Sequence, residues 1–281
     1  MAKIAIITGA SQGIGRGIAL HLARAGYDIG FSYCSAQEQA ESLTAQIEAL
    51  GRRCRAYRAD MCQSGAGPAF VKQAAEELDG LNVLVNNAGR TRMQSILDLT
   101  PEVVDELINL DLKNSLFCMQ TAAKIMIERN IRGSIVNITS SRAERAYPED
   151  AVYGGVKAAI RRASQSAALD LAPYGIRVNC VAPGAIAIRS KEYLAKLKWI
   201  PTDFWEELGT RIPLERSGTP EDVANAVAFL ADEQSDYITG ETIRVDGGLI
   251  LPGMPEGRNS TSWGARKKGN NPWELKFVMF E

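Results

Sequence analysis

Histidine is almost absent from this chain: among 281 residues there is one, His21. A single imidazole leaves no room for Ser–His–Asp chemistry or a His-based zinc site. His21 itself, in the middle of an amphipathic run, reads as a helix-surface or part-buried structural residue. The five cysteines (Cys34, Cys54, Cys62, Cys118 and Cys180) form no C-x-x-C pair and no zinc spacing. They read as reduced thiols of a cytoplasmic protein, with no metal and no disulfide. No run of about 20 apolar residues occurs, which excludes a membrane-spanning helix. The opening "MAKIAIITGAS" is too short for a signal h-region and lacks an A-x-A cleavage site. An excess of one charge is also missing, with 32 Lys+Arg against 33 Asp+Glu. Nothing therefore draws the whole molecule to nucleic acid or an anionic membrane.

What the chain does have is 46% apolar and 23% charged residues, the usage of a globular protein. Short β-branched runs, "KIAIIT" (3–8), "DIGFSY" (28–33), "CRAYRA" (54–59), "LNVLVN" (81–86), "GSIVNIT" (133–139), "IRVNCVA" (176–182) and "TIRVD" (242–246), alternate with helical patterns near 14–25, 36–50, 64–78, 101–129, 152–172 and 220–231. This alternation predicts an α/β single domain, a doubly wound parallel sheet of about seven strands with helices on both faces. Gly26 and Gly51 stand where helix C-caps are expected, and Thr100–Pro101 and Thr219–Pro220 open helices with proline in the first turn. The domain is expected to span 1–251, with 184–218 a lid and 252–281 a tail, because a long connection in a compact domain is usually functional.

The first strand runs into "TGASQGIGRGIA" (8–19), so Gly9, Gly13 and Gly15 fall at a strand-to-helix turn. Glycines there let the backbone approach a pyrophosphate, and the helix N-terminus offers unpaired N–H groups. Further on, "VYGGVK" (152–157) sets Tyr153 and Lys157 one helical turn apart across two glycines. A free tyrosine, with a pKa of about 10, is a poor base at neutral pH, and a nearby ammonium favours its phenolate. Each glycine in a helix interior costs roughly 0.5–1 kcal/mol relative to alanine. Gly154 and Gly155 are therefore expected to widen the floor of a pocket where a Cβ would crowd substrate or cofactor.

The G-x-x-x-G-x-G spacing behind a threonine resembles the short-chain dehydrogenase/reductase family. The resemblance continues with Asp60 after the third strand, "NNAG" (86–89) after the fourth, Ser140 thirteen residues before Tyr153, the Tyr-x-x-x-Lys pair, and "APG" (182–184) after the sixth, covering residues 3 to about 250. It implies a Rossmann fold and hydride transfer between a nicotinamide and a secondary alcohol or ketone. By this resemblance Gly9, Ser11, Gln12, Gly13, Ile14 and Gly15 hold the pyrophosphate, Ser35, Asp60 and Met61 face the adenosine, and Asn87, Ala88 and Gly89 line the ribose path. Tyr153, Lys157, Pro183, Gly184 and Ile186 complete the cofactor set, while Ser140, Tyr153 and Lys157 are catalytic. The family's fourth member, an asparagine, corresponds to Asp111, with Asn109 or Asn114 as the alternative through a small helix shift. An ionised aspartate accepts but cannot donate hydrogen bonds, and it adds negative charge near Lys157. Ile188 stands where the family often has a threonine.

No acidic residue precedes Glu38 at the end of the second strand, which leans toward NADP over NAD, although Gln12 and Cys34 replace the arginines NADP enzymes often carry. Substrate groups are expected to be Ser140, Arg142, Glu144 and Tyr153. Arg145, Glu149 and Asp150 lie nearby, with Tyr193, Trp199, Phe204 and Trp205 closing the lid. The segments "RIPLERSGTPED" and "VDGGLILPGMPEGR" are most like the glucose 1-dehydrogenase branch, implying a sugar or polyol substrate. Two alternatives are a 3-oxoacyl-thioester reductase, which would recruit an acidic acyl carrier through Arg90, Arg92 and Arg129, and a non-catalytic NAD(P)-binding sensor. The family's habit implies a homotetramer.

Overall fold

The computed structural model describes residues 3–196 and 201–251. The expectations for Trp199 and for the 252–281 tail lie outside the described residues. Seven strands, β1 (Ile4–Ile7), β2 (Asp28–Tyr33), β3 (Cys54–Arg58), β4 (Val83–Asn86), β5 (Ser134–Ile138), β6 (Arg177–Pro183) and β7 (Thr242–Val245), form one sheet in the order β3-β2-β1-β4-β5-β6-β7. Every pairing is parallel. The strands carry apolar residues at successive positions because both faces are covered. Ala5 and Ile7 of β1 join the core on one face, and Ile4 and Ile6 join the core on the other.

The first face is covered by α1 (Gly13–Arg24), α2 (Gln37–Ala49) and α9 (Pro220–Ala231), which contribute Ile18, Leu22, Leu43, Ile47, Val223 and Val227. The second receives Phe70, Val71 and Leu78 from α3 (Ala66–Leu78) and Cys118, Met119 and Met126 from α5 (Asn114–Glu128). α6 (Ala151–Leu171) packs beside β6. A capping box closes α9, with Thr219 and Asp222 each accepting from the other's backbone N–H. His21 Nδ1 lies 2.7 Å from Glu221 Oε1, which ties α1 to α9 and leaves the one histidine structural.

The helix expected over 101–129 is not uniform. α4 (Pro101–Leu107) passes into a π-helical segment, Ile108–Lys113, before α5 continues. Ser115 Oγ donates to the Asp111 carbonyl oxygen at 2.5 Å, and Asn114 Nδ2 donates to the Asn109 carbonyl oxygen at 2.9 Å, so side chains serve carbonyls in the widened turn. Between β6 and α9 the connection carries α7 (Lys191–Lys196) and α8 (Phe204–Gly209). Among the described residues no helix is long and apolar enough to cross a membrane.

Candidate active site

The chain turns one way from β1 to β2 and the other way from β1 to β4, and at such a switch point the strand ends open a crevice. Here that crevice is a cleft of about 980 Å³, lined by residues that follow β1 through β6. It brings together Gly9, Ser11, Gln12, Gly13, Ile14 and Gly15; Ser35, Asp60 and Met61; Asn87, Ala88 and Gly89; and Pro183, Gly184 and Ile186. Ser140, Arg142, Tyr153 and Lys157 line it as well.

The glycine turn is held by side chains of the neighbouring strand ends. Gly9 adopts φ +66°, and a Cβ there would lie 2.9 Å from Ala88 Cα, so glycine is needed both for conformation and for closeness. Thr8 Oγ1 accepts from the backbone N–H groups of Asn87 and Ala88 at 2.9 Å each. Asn87 Nδ2 donates back to the Gly9 carbonyl oxygen at 2.8 Å, and Gly9 N donates to Ser32 Oγ at 3.0 Å. Thr8 and Ser32 thereby staple the turn to β4 and β2. Gln12, the N-cap of α1, makes no side-chain cap, and the first turn has no acidic residue. The cradle therefore presents unpaired helix N–H groups and no negative charge, which fits a diphosphate.

At the other end, Ser140 ends the run from β5 and is 8% exposed. Its Oγ accepts from Arg142 N at 3.2 Å, which leaves the hydroxyl proton available for donation. Lys157 lies with Nζ 5.6 Å from the Tyr153 ring centroid and donates to the Ile138 carbonyl oxygen at 3.2 Å. Below it, wholly buried in the π segment, Asp111 places Oδ1 2.7 Å from Lys157 Nζ. Burial pushes the Lys157 ammonium down, but the charges of Asp111 and then Tyr153 outweigh it and hold Lys157 above its ordinary value. Gly89 covers this pair: a Cβ on it would collide with Asp111 Oδ1 and sit 3.1 Å from Lys157 Nζ.

Several expectations need correction. Asp111 is not part of the cleft lining; it lies beneath Lys157 and can act only through that residue. Asn114 does not take its place, because its side chain is engaged with Gly67 N, the Met61 carbonyl and the Asn109 carbonyl. Glu144 is not a cleft residue either: its carboxylate lies 3.9 Å from Arg161 and 3.7 Å from Arg244. Arg145 reaches the Leu249 carbonyl, and Asp150 is buried against Arg142. Of the expected lid aromatics, Tyr193, Phe204 and Trp205 line the cleft, joined by Tyr147 and Ile188.

The two glycines of "VYGGVK" do not widen the pocket, because neither lines it. A Cβ on Gly154 would lie 2.9 Å from the Arg142 carbonyl oxygen and 3.1 Å from Asp150 Oδ2, so this glycine makes room for the turn after β5. A Cβ on exposed Gly155 would meet nothing within 4 Å. Gly155→Ala is therefore expected to stabilise the chain by about 0.5–1 kcal/mol through helix propensity, whereas Gly154→Ala destabilises it. Urea unfolding of the two variants beside the parent checks the opposite signs; a destabilised Gly155→Ala would remove this explanation.

A dinucleotide cradle and a Ser–Tyr–Lys cluster at the two ends of one cleft define an NAD(P)-dependent oxidoreductase acting on a CH–OH group. The family model described as enoyl-(acyl carrier protein) reductase matches residues 9–250. A 3-oxoacyl-(acyl-carrier-protein) reductase FabG of Staphylococcus aureus is 38% identical over 251 residues, covering 89% of this chain and 99% of that protein. A short-chain dehydrogenase/reductase of Armillaria gallica is 37% identical over 251 residues, 89% of this chain and 96% of its own. Among solved structures, acetoin dehydrogenase YohF from Salmonella typhimurium superposes with a TM-score of 0.83 at 32% identity, covering 92% of this chain and 99% of that one. The chain belongs to the short-chain dehydrogenase/reductase family.

Proposed function

We propose that the chain is an NADP-preferring dehydrogenase of small polyhydroxylated substrates, a sugar or polyol carrying a secondary alcohol or its carbonyl. In this reading Ser140 donates its free hydroxyl proton to the substrate oxygen and steadies charge developing there. Tyr153 takes the alcohol proton during oxidation and returns it during reduction. Lys157, kept charged by Asp111, favours the phenolate form of Tyr153 and offers an N–H to the ribose path beside Gly89. When bound, the dinucleotide supplies the hydride acceptor or donor. Asp111 is a positioning residue, since it touches only Lys157 and the backbone around it.

The observation that carries the substrate class is the cleft wall above Ser140. Tyr147, Tyr193, Phe204 and Trp205 line the same cleft as Ser140, together with the polar side chains of Ser141, Arg142, Arg189 and Ser190. Apolar walls with a few placed polar groups suit a compact ligand whose C–H faces stack and whose hydroxyls bond. Acetoin, the compound in the name of the superposed structure, is a small hydroxy ketone with a secondary alcohol next to its carbonyl. The acyl-carrier alternative needs an unpaired basic patch. Of the three arginines expected to form it, Arg90 and Arg92 share the single carboxylate of Glu106 at 2.7 and 3.3 Å, and Arg129 lies 3.5 Å from Asp79, which reduces the free positive charge to less than the three cations would give.

For the cofactor, the lining at the end of β2 is Tyr33, Cys34, Ser35 and Ala36, with no carboxylate to accept from a ribose 2′-hydroxyl. Arg58 Nε donates to the Cys34 carbonyl oxygen at 3.3 Å, which sets an exposed guanidinium at that corner. Arg16 is committed elsewhere, to the carbonyls of Ser11 and Gln39. Arg58→Ala is expected to raise KM for NADP about tenfold or more, with a smaller change for NAD. Equal effects on both cofactors would remove Arg58 from the 2′-phosphate corner. The substrate reading is tested by following nicotinamide absorbance with neutral sugars, polyols, acetoin and a 3-oxoacyl thioester. Turnover of polyols and hydroxy ketones is expected, and turnover of the thioester alone would overturn it.

A further inference from the structure

The buried carboxylate of Asp150 has no place in the chemistry above. Its side chain is 2% exposed, and neither oxygen has a hydrogen-bond partner that would account for its burial. It precedes α6 as the N-cap residue but caps nothing with its side chain. Its charge partner among the described residues is Arg142, with Nη1 3.1 Å from Asp150 Oδ2. Tyr147 flanks the same guanidinium, 4.4 Å from its ring centroid. The backbone on both sides is constrained as well, because Gly154 is the position where a Cβ would press on both Asp150 Oδ2 and the Arg142 carbonyl.

One edge of the guanidinium is thus buried against a carboxylate and one face is stacked on a ring. The side chain as a whole remains 29% exposed, at the cleft and two residues from Ser140. A guanidinium has five N–H groups in a rigid plane, so clamping one edge fixes the direction of the others. The geometry points to Arg142 as the residue that orients the substrate by donating to hydroxyls next to the reacting carbon, and to Asp150 as the residue that makes the site select neutral polyols over their carboxylate counterparts. The selection follows from charge. Arg142 alone would attract a carboxylate as a forked pair, but with Asp150 already neutralising it, a second carboxylate meets the field of the first in a poorly hydrated corner. Neutral hydroxyls use the same N–H groups without that repulsion. This inference rests on the polyol reading, and it names what within that reading decides the substrate.

The test uses the full chain saturated with NADP and three probes: 2-butanol, sorbitol, and gluconate, which has sorbitol's hydroxyl chain with a terminal carboxylate. For Asp150→Asn, the ratio of kcat/KM for gluconate over sorbitol is expected to rise tenfold or more. For Arg142→Gln, which changes a residue at the cleft and keeps a donor amide, the ratio for sorbitol over 2-butanol is expected to fall tenfold or more with no gain on gluconate. General damage to the fold lowers all three substrates together and leaves the ratios where they were, so unchanged ratios in either variant overturn the inference. If Asp150→Asn is recovered only unfolded, the Arg142→Gln ratios decide. Parent activity on sorbitol with unmoved ratios defeats this inference alone, whereas a parent inactive on every neutral polyol defeats both it and the substrate reading.

Discussion

Replacing Tyr153 by phenylalanine is expected to lower kcat for alcohol oxidation by about 10²–10⁴-fold, the range for removing a positioned general base. The substitution deletes one oxygen from a side chain that lines the cleft beside Ser140 and Lys157 and leaves the ring in place. Packing of α6 is preserved, so the loss falls on kcat more than on KM. His21 offers no substitute base, since it is tied to Glu221 and does not line the cleft. Steady-state rates on the preferred alcohol substrate measure the effect, and a rate within threefold of the parent would remove Tyr153 from proton transfer.

Asp111→Ala is expected to destabilise the fold by about 3–5 kcal/mol, the usual cost of leaving one partner of a buried ion pair uncompensated. Asp111 is fully buried and Lys157 is 4% exposed, so water cannot take over the missing carboxylate. Loss of the side chain also leaves a void under Gly89 in the π segment. The sign with pH follows from the direction of the Lys157 shift. A lysine held above its ordinary value contributes stability that is fully present below the unfolded-state pKa and fades only as pH rises through the folded-state pKa. The difference between parent and variant should therefore hold steady through the neutral range and shrink only in strong alkali. Denaturant unfolding at several pH values measures this. A difference under about 1 kcal/mol at neutral pH would mean that the pair is not carrying a buried charge.

The parallel sheet was readable because buried strands and amphipathic helices alternate with distinct periods, and all seven strand segments lie where their β-branched runs stand. The glycine turn, Tyr153 and Lys157 were readable because their spacing is local: one turn of backbone or one turn of helix. What could not be read depends on contacts between distant segments. The π segment at 108–113 has no propensity signature, being set by Ser115 and Asn114 reaching back to carbonyls within the turn. Whether Glu144 or Asp150 faces the cleft turns on Arg161, Arg244 and Arg142, which meet these residues only once the chain is folded. The double glycine was misread for the same reason: a helix-interior glycine signals a close approach, but only the tertiary structure shows that the approaching group is the 142–150 turn and not a ligand. Thr8 and Ser32 belong to strand segments, where a short polar side chain could have hinted at a tie between strand ends.

The most direct measurement is the pH–rate profile for alcohol oxidation by the parent and by Asp111→Asn, taken by rapid mixing so that product release does not mask the proton-dependent step. Asparagine keeps the shape of the buried side chain and removes the charge that holds Lys157 above its ordinary value against its burial, so the ammonium facing Tyr153 is no longer held charged. The expected result is that the acid limb of the Asp111→Asn profile lies at higher pH than that of the parent. Superimposable profiles, or a variant limb displaced to lower pH, would contradict a site in which Asp111 keeps charged the lysine on which Tyr153 depends.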